Sequence, residues 1–373
     1  MNFEKNENMF LRTKHVESKL VFGDPRFISK PWLTLIIPTY KRPELLKQAL
    51  DSVLSQFHCS FFWDVIVVDN EKFDGKINKT EALIRKINNP RILYYRNCEQ
   101  LRPGDNFNRG ILLARGQWVS MLHDDDILTR SALKNLGKII HVYSRSNFKK
   151  ELGAISALYY QFYDSQESKY RPSEIDNLDA YLSSLPTNYA LLNLTHRWLW
   201  FTSHLGGLVP SNGTVLNRKA VLDVGGFNDD FGICADLILF YCLENKYRVY
   251  SLTSPIGFYR WGKNSMSQIT STRKVVQNCF DVREYIYGKS FCSKILSLLL
   301  KRSHYFQFTS DVVKEYNNVN ANKILLSEFD NIYKSRPFRC TFIIFRGVRK
   351  IYESYKHLET KRILKKILKG EGV

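Results

Sequence analysis

Hydrophobic positions in the first third of the chain alternate between two rhythms. Unbroken apolar runs of strand length stand at WLTLIIPT (32–39), DVIVVD (64–69), RILYYRN (91–97) and QWVSML (117–122). Between them lie segments whose apolar residues recur at helical spacing. The first opens with Pro43-Glu44 and keeps Leu45, Leu46, Ala49, Leu50, Val53 and Leu54 in register, and others are predicted near 78–89 and 105–115. Strands that are apolar on both faces and alternate with helices predict a mostly parallel sheet with right-handed crossovers, hence an α/β protein.

Farther along, the pattern predicts a helix near 129–143, a strand at 152–163 and an irregular stretch at 164–208. Regular structure is expected to resume at 213–217, followed by helices at about 218–224 and 235–245 and by the strand-like RVYSLT and IGFYRW. Beyond about residue 272 the chain becomes helical, aromatic and basic, with 19 Lys or Arg against 9 Asp or Glu from residue 280 onward. The expected organisation is an N-terminal extension (1–31), flexible or packed on the surface, and a central domain (32–271). That domain divides into halves at 32–126 and 127–271, and a basic helical region (272–373) follows.

Composition changes this picture little. Of 373 residues, 44% are hydrophobic and 24% charged, an ordinary globular balance. The net charge of +19 favours anionic partners: phosphates of a soluble ligand, nucleic acid or an acidic membrane surface. Seven cysteines without a C-x-x-C pair suggest neither a zinc ribbon nor a disulfide framework, so a reducing compartment fits. The opening MNFEKNENMFLRTKH has no apolar core of the kind a signal peptide needs, and apolar runs such as 295–300 are too short to span a bilayer. A cytoplasmic location is expected.

Ligands of open α/β sheets bind beyond the C-terminal ends of the strands, so polar residues there take priority. Three strand ends carry them: Thr39-Tyr40-Lys41-Arg42, Asp69-Asn70 and His123-Asp124-Asp125-Asp126. Three consecutive carboxylates repel one another unless a cation compensates, and Mg²⁺ or Mn²⁺ takes such hard oxygen ligands. The bland alternative is a solvated acidic turn that caps the following helix.

LTLIIPTYKRPELLKQALDSVLSQ, VIVVDN and NFNRGILLARGQWVSMLHDDD together resemble, in order and spacing, the nucleotide-binding half of family 2 glycosyltransferases with the GT-A fold. The resemblance runs from about Thr34 to Ser267. It implies inverting transfer of a hexosyl or N-acetylhexosaminyl group from a nucleoside diphosphate, most often UDP, with Mn²⁺ or Mg²⁺. Position by position, it assigns Thr39, Tyr40, Arg42 and Glu44 to the loop framing the nucleotide, Asp69 to the base, and Asn106 and Arg109 to a stretch approaching the donor. Gly104 and Gly110 are open between turn and helix-packing roles. The family's Asp-x-Asp-Asp motif places His123 where an Asp stands, leaving Asp125 and Asp126 as ribose and metal contacts, with Asp124 beside them on the donor. His123 reads as a strand-end histidine with a metal-ligand alternative.

In the second half, NGTVLNRKAVLDVGGFNDDFGICADLILF resembles the family's Gly-Gly-Phe segment and the helix after it. Ala235-Asp236 replaces the usual Glu-Asp, so the resemblance makes Asp236 the general base, with Asp229 and Asp230 as fallbacks. In PIGFYRWGKNSMS, Arg260 is kept and Gly262 stands where the family has a His, leaving Arg260 and Lys263 as phosphate clamps. Trp198 and Trp200 are candidate stacking platforms for the acceptor, or simply core residues. The implied acceptor is a glycan or lipid-linked glycan of surface polysaccharide synthesis. The interleaved basic and apolar C-terminus is either a peripheral contact with the cytoplasmic face of the inner membrane or a helix packed on its own domain. The weaker alternatives are a sugar nucleotidyltransferase, disfavoured because IPTYKRPE lacks a phosphate-loop glycine, and a nucleotide- or nucleic-acid-binding protein. No nucleic-acid-binding module is recognisable, so nucleic acid is not an expected partner.

Overall fold

A computed structural model describes residues 8–56, 59–144, 150–163, 191–193 and 213–261, together with single positions at 347, 351, 354, 355 and 358. Among the described residues, ten strands and six α-helices follow one another along the sequence. They are β1 (Ser18–Phe22), β2 (Leu33–Thr39), α1 (Pro43–Leu54), β3 (Trp63–Asp69), α2 (Lys79–Ile87), β4 (Ile92–Asn97), α3 (Pro103–Leu113) and β5 (Trp118–Met121). After these come β6 (Ile127–Leu128), α4 (Ala132–Ser144), β7 (Leu152–Tyr163), β8 (Leu191–Asn193), β9 (Val215–Asn217), α5 (Arg218–Val224), α6 (Ala235–Lys246) and β10 (Arg248–Trp261).

The strands form one sheet in the order β1-β4-β3-β2-β5-β9-β7-β10-β6, with β8 beside β10. The four predicted apolar runs make its parallel centre, β4-β3-β2-β5. Buried residues of β2 and β3 alternate between two cores. Leu33, Leu35, Ile37, Val65 and Val67 face α1, α2 and α4, whereas Ile36, Ile66 and Val68 face α3, α5 and α6. Burial on both faces is why these strands read as unbroken apolar runs. The expected α/β architecture is present.

Two glycines draw α3 close to its neighbours. A Cβ on Gly110 would overlap the Cγ2 methyl of Ile36 on β2, and one on Gly104 would overlap the carboxylate of Asp229. Gly110 is therefore a helix-packing glycine, and Gly104 permits a close approach to the first turn of α3.

Residues 9–22, expected outside the central domain, contribute to its sheet and core. Met9 and Phe10 are buried, and β1 pairs antiparallel with β4 and forms the edge of the sheet. This segment lacks the long apolar runs of the central strands, because β1 is an edge strand with one neighbour and is half exposed. RVYSLT and IGFYRW form one bulged strand, β10, rather than two, parallel to β7.

Candidate functional site

The C-terminal ends of β2 and β5, adjacent parallel strands, bring Thr39 beside the acidic cluster. After Thr39 the chain turns through Lys41, whose φ of 56° is in the left-handed region, before Pro43 opens α1. That turn throws Arg42 back over the strand ends. Its guanidinium donates to Asp124 Oδ1 and, at 2.9 Å, to Asp125 Oδ2, while Thr39 Oγ1 donates to Asp124 Oδ2 at 2.6 Å. Both oxygens of Asp124 are thus engaged by protein.

The other side of the cluster is closed by β10. Antiparallel pairing of Gly257 and Phe258 with β6 returns the chain to the segment just past the acids. The Arg260 amide donates to Asp126 Oδ1 at 2.8 Å, its Nε donates to the Asp125 carbonyl at 2.8 Å, and an Nη donates to Gln48 on α1 at 2.5 Å. Arg260 is expected as a clamp from its resemblance alone; its position here is fixed by a strand more than 130 residues away.

Asp124 and Asp126 are almost wholly shielded from solvent, at 1% and 0% exposure. Burial pushes Asp124 up to about 6 despite Arg42 and Thr39, and raises Asp126 well above the carboxylate range, with Asp125 adding repulsion. Asp126 is followed by β6, not by a helix, and the next helix begins at Ala132, so the cluster is not a helix cap. Single ligand atoms of His123, Asp125 and Asp126 lie within 4.8 Å of one another. His123, expected as a strand-end histidine with a metal-ligand alternative, is part of this group. Its ring stands 5.5 Å from that of Phe107, which in turn packs 5.3 Å from Phe227, and burial holds its imidazole below the ordinary range. Two carboxylates and a neutral imidazole suit Mn²⁺ or Mg²⁺, and two buried acids with raised pKa values are the condition a divalent cation relieves.

Asp69 lies in a different polar network. It is fully buried, accepts from the Glu71 amide (2.9 Å), Asn78 Nδ2 (2.9 Å) and Tyr94 Oη (2.7 Å), and is raised chiefly by burial. Its carboxylate therefore fastens the 70–78 loop from inside. Asn106 is likewise buried, accepting from Asn97 at 2.8 Å and donating to the Val68 carbonyl at 3.3 Å. Arg109 donates to Ser18 Oγ at 2.7 Å, on the β1 edge. These three are expected at the donor, and the structure gives their side chains these internal partners. Sequence spacing located the loop but could not tell a buried anchor from a ligand contact. Tyr40 is 39% exposed with the Lys41 ammonium 5.2 Å from its ring centre, and Glu44 is exposed in the first turn of α1.

On the other half, Asp229 accepts from the Gly104 amide (both oxygens, 2.9 Å) and the Asp105 amide (3.2 Å), capping α3. Asp230 is held by Arg12 at 2.6 and 2.9 Å and by Arg102 at 3.2 Å. Both fallback acids are thus committed to structure. Asp236 sits in the first turn of α6, partly exposed, accepting from the Leu237 amide at 2.8 Å. Trp198, Trp200, Gly262 and Lys263 lie outside the described residues.

Residues 34–148 match the family model of Glycosyl transferase family 2. Among curated proteins, the chain is 31% identical over 101 residues to the abequosyltransferase of Salmonella typhimurium, covering 27% of this chain and 30% of that protein. It is 30% identical over 129 residues to the GalNAc(5)-diNAcBac-PP-undecaprenol beta-1,3-glucosyltransferase of Campylobacter jejuni, covering 32% and 40%. The chain spans less than half the length of these relatives. Among solved structures, a mannosyltransferase from Pyrobaculum calidifontis in complex with GDP-Man and Mn²⁺ aligns with a TM-score of 0.49 at 18% identity, over 94% of this chain and 93% of that one.

Proposed function

We propose that the chain is an inverting glycosyltransferase, because residues 34–148 match the Glycosyl transferase family 2 model. It moves a sugar from a nucleoside-diphosphate sugar, UDP first among the candidates, to a hydroxyl of a glycan or lipid-linked glycan in surface polysaccharide synthesis. The observation that carries this reading is the cluster at the β5 end. Buried acids with raised pKa values stand there between two arginines, at the strand ends where α/β sheets bind phosphorylated ligands.

In this reading Asp126, with Asp125 and His123, holds Mn²⁺ or Mg²⁺, which when bound supplies Lewis-acid neutralisation of the departing diphosphate. Arg42 and Arg260 line the same side and offer guanidinium donors to phosphate oxygens. Asp124, fixed by Thr39 and Arg42, contributes negative charge that keeps Arg42 in place. Asp69 shapes the base pocket indirectly, by fastening the 70–78 loop. Asp236 takes the proton of the acceptor hydroxyl as that oxygen bonds to C1 and the bond from C1 to the diphosphate oxygen breaks, so no protein nucleophile is used. Much of the acceleration comes from aligning two bound reactants.

A lipid-linked acceptor is supported by the relative whose name contains PP-undecaprenol. Peripheral membrane contact is supported by the C-terminus, where the described helical positions Ile351, Tyr355 and Leu358 are exposed at the spacing of one helix face, among basic residues. No helix among the described residues is long and apolar enough to cross a membrane.

The test is a donor screen. The protein is incubated with UDP-, GDP- and dTDP-sugars with and without Mn²⁺, and the released nucleotide is identified. Release of a nucleoside diphosphate is expected. Release of pyrophosphate would replace this reading with nucleotidyl transfer, and no turnover with any donor would count against an active enzyme.

A further inference from the structure

The N-terminal segment touches both halves of the domain, and its contacts converge on the approach to α6. Asn8 caps a single 3-10 turn at Met9–Leu11, and the Met9 amide donates to the Gly225 carbonyl at 3.0 Å. Phe10 is buried beside Gly226, where a Cβ would press on its ring; Gly226 has a φ of 80°, which favours glycine in any case. Arg12 then forms a two-pronged pair with Asp230, at 2.9 and 2.6 Å. Farther on, β1 docks on the donor half, where Ser18 Oγ donates to Asn97 Oδ1 at 2.7 Å.

Asp230 belongs to a 3-10 turn, Asp229–Cys234, that runs directly into α6. That turn contains Gly232 at φ 54° and ψ −127°, a conformation L side chains rarely adopt, and it is preceded by Gly225 and Gly226, both at positive φ. Glycines give this stretch few backbone preferences of its own, so its path depends on what holds it. Two acids do so. Asp229 is fastened to the α3 amides, and Asp230 is bracketed by Arg12 and Arg102. Of those two arginines, Arg12 supplies two hydrogen bonds at planar fork geometry and Arg102 only one.

We propose that Arg12 is a positioning residue for sugar transfer: through Asp230 it fixes the glycine-containing turn that sets where α6 presents Asp236. The proposal rests on Asp236 being the general base. It gives the N-terminal segment a role in the acceptor half although that segment makes no contact with the acidic cluster among the hydrogen bonds and ion pairs described. A base displaced by about 1 Å is enough to cost up to about a hundredfold in rate.

The full chain is compared as wild type, Arg12→Ala, Arg12→Lys and Asp236→Asn. Three readouts are taken: amide hydrogen exchange by segment, UDP binding with Mn²⁺ by calorimetry, and turnover with the donor found active in the screen. For Arg12→Ala, faster exchange confined to 228–240, unchanged UDP affinity and a kcat lower by about tenfold at unchanged donor KM are expected, and Arg12→Lys should recover part of each. Unchanged exchange at 228–240, or wild-type kcat, in Arg12→Ala overturns the proposal. So does a loss of UDP affinity that matches the loss of turnover. If Arg12→Ala does not fold, Arg12→Lys carries the test, with smaller changes of the same pattern expected and wild-type behaviour overturning it. Asp236→Asn separates the two readings: retained turnover there removes the base assignment, and exchange in Arg12→Ala still judges the clamp.

Discussion

The acids at 124–126 and those at 229–230 look alike in sequence, short runs of Asp in loops, yet their surroundings differ in kind. Asp229 and Asp230 are matched to donors that stabilise them: three contacts from two amides at the start of α3 for one, two arginines for the other. Arg12 holds the Asp230 carboxyl below its ordinary value. Burial raises Asp229 from its ordinary value as well, but Asp124 and Asp126 are buried more deeply, and despite their hydrogen bonds both are pushed upward. Neighbouring carboxylates with raised pKa values cost folding stability, and such strain is kept where a ligand relieves it. Asp229 and Asp230 take amide and guanidinium donors from the protein, whereas in the proposed reading a bound cation would relieve the strand-end acids.

The contrast can be broken most directly at Asp126. Replacing it with Asn should lower turnover by on the order of a hundredfold or more, since a principal electrostatic element of the leaving-group site is lost. The same change removes a buried charge, so the melting temperature without metal should stay level or rise, whereas Mn²⁺ should no longer raise it. A drop in stability like that of an ordinary core lesion would contradict the reading of Asp126 as a strained ligand.

Asp236→Asn comes next, with a loss of about a hundredfold to ten-thousandfold in kcat. Calorimetry with UDP and Mn²⁺ should find binding intact. Weakened nucleotide binding would move Asp236 to the donor side.

Asp229→Ala should show the opposite balance. Loss of the α3 cap should cost about 1 kcal/mol in chemical denaturation, with donor binding close to wild type. On stability, Asp230→Asn is the smallest effect, because its ion pairs are partly exposed and such pairs contribute about 0–1 kcal/mol. Its sign with pH is defined. The folded-state pKa of Asp230 is depressed below 3.8, so its contribution is present above that value and is lost as pH falls through the folded pKa. Melting curves of wild type and Asp230→Asn should therefore differ at pH 6, begin to converge as pH falls past 3.8, and meet only below the depressed folded pKa. A gap that persists at low pH would mean that Asp230 acts through something other than its charge.

The parallel centre of the fold was legible because β2, β3, β4 and β5 are buried on both faces and announce themselves as apolar runs. β1 was not, since an edge strand with exposed positions carries no such run. At the site, Thr39, Arg42 and the acids could be read because each lies within a few residues of a strand end. Arg260 was named by its motif, but its contact with Asp125 and Asp126 depends on the pairing of β10 with β6, which no local pattern contains. Asp69, Asn106 and Arg109 show the reverse problem. Their motifs give no sign of the internal partners their side chains take, because the direction of a side chain, at a strand end for Asp69 or on α3 for Asn106 and Arg109, depends on tertiary neighbours such as Tyr94 and Ser18. The nearness of His123 to Asp125 and Asp126 is a property of the folded chain, so a lone histidine in the sequence does not by itself suggest a ligand group.

The central claim, that the strand-end acids form a metal-dependent nucleotide site, is tested most directly by titrating UDP into the wild-type protein by calorimetry, once with Mn²⁺ and once with a chelator. Binding that requires Mn²⁺ in the wild type and is abolished in Asp126→Asn is the predicted result. UDP affinity that is the same in chelator as in Mn²⁺, or that survives in Asp126→Asn, would contradict it.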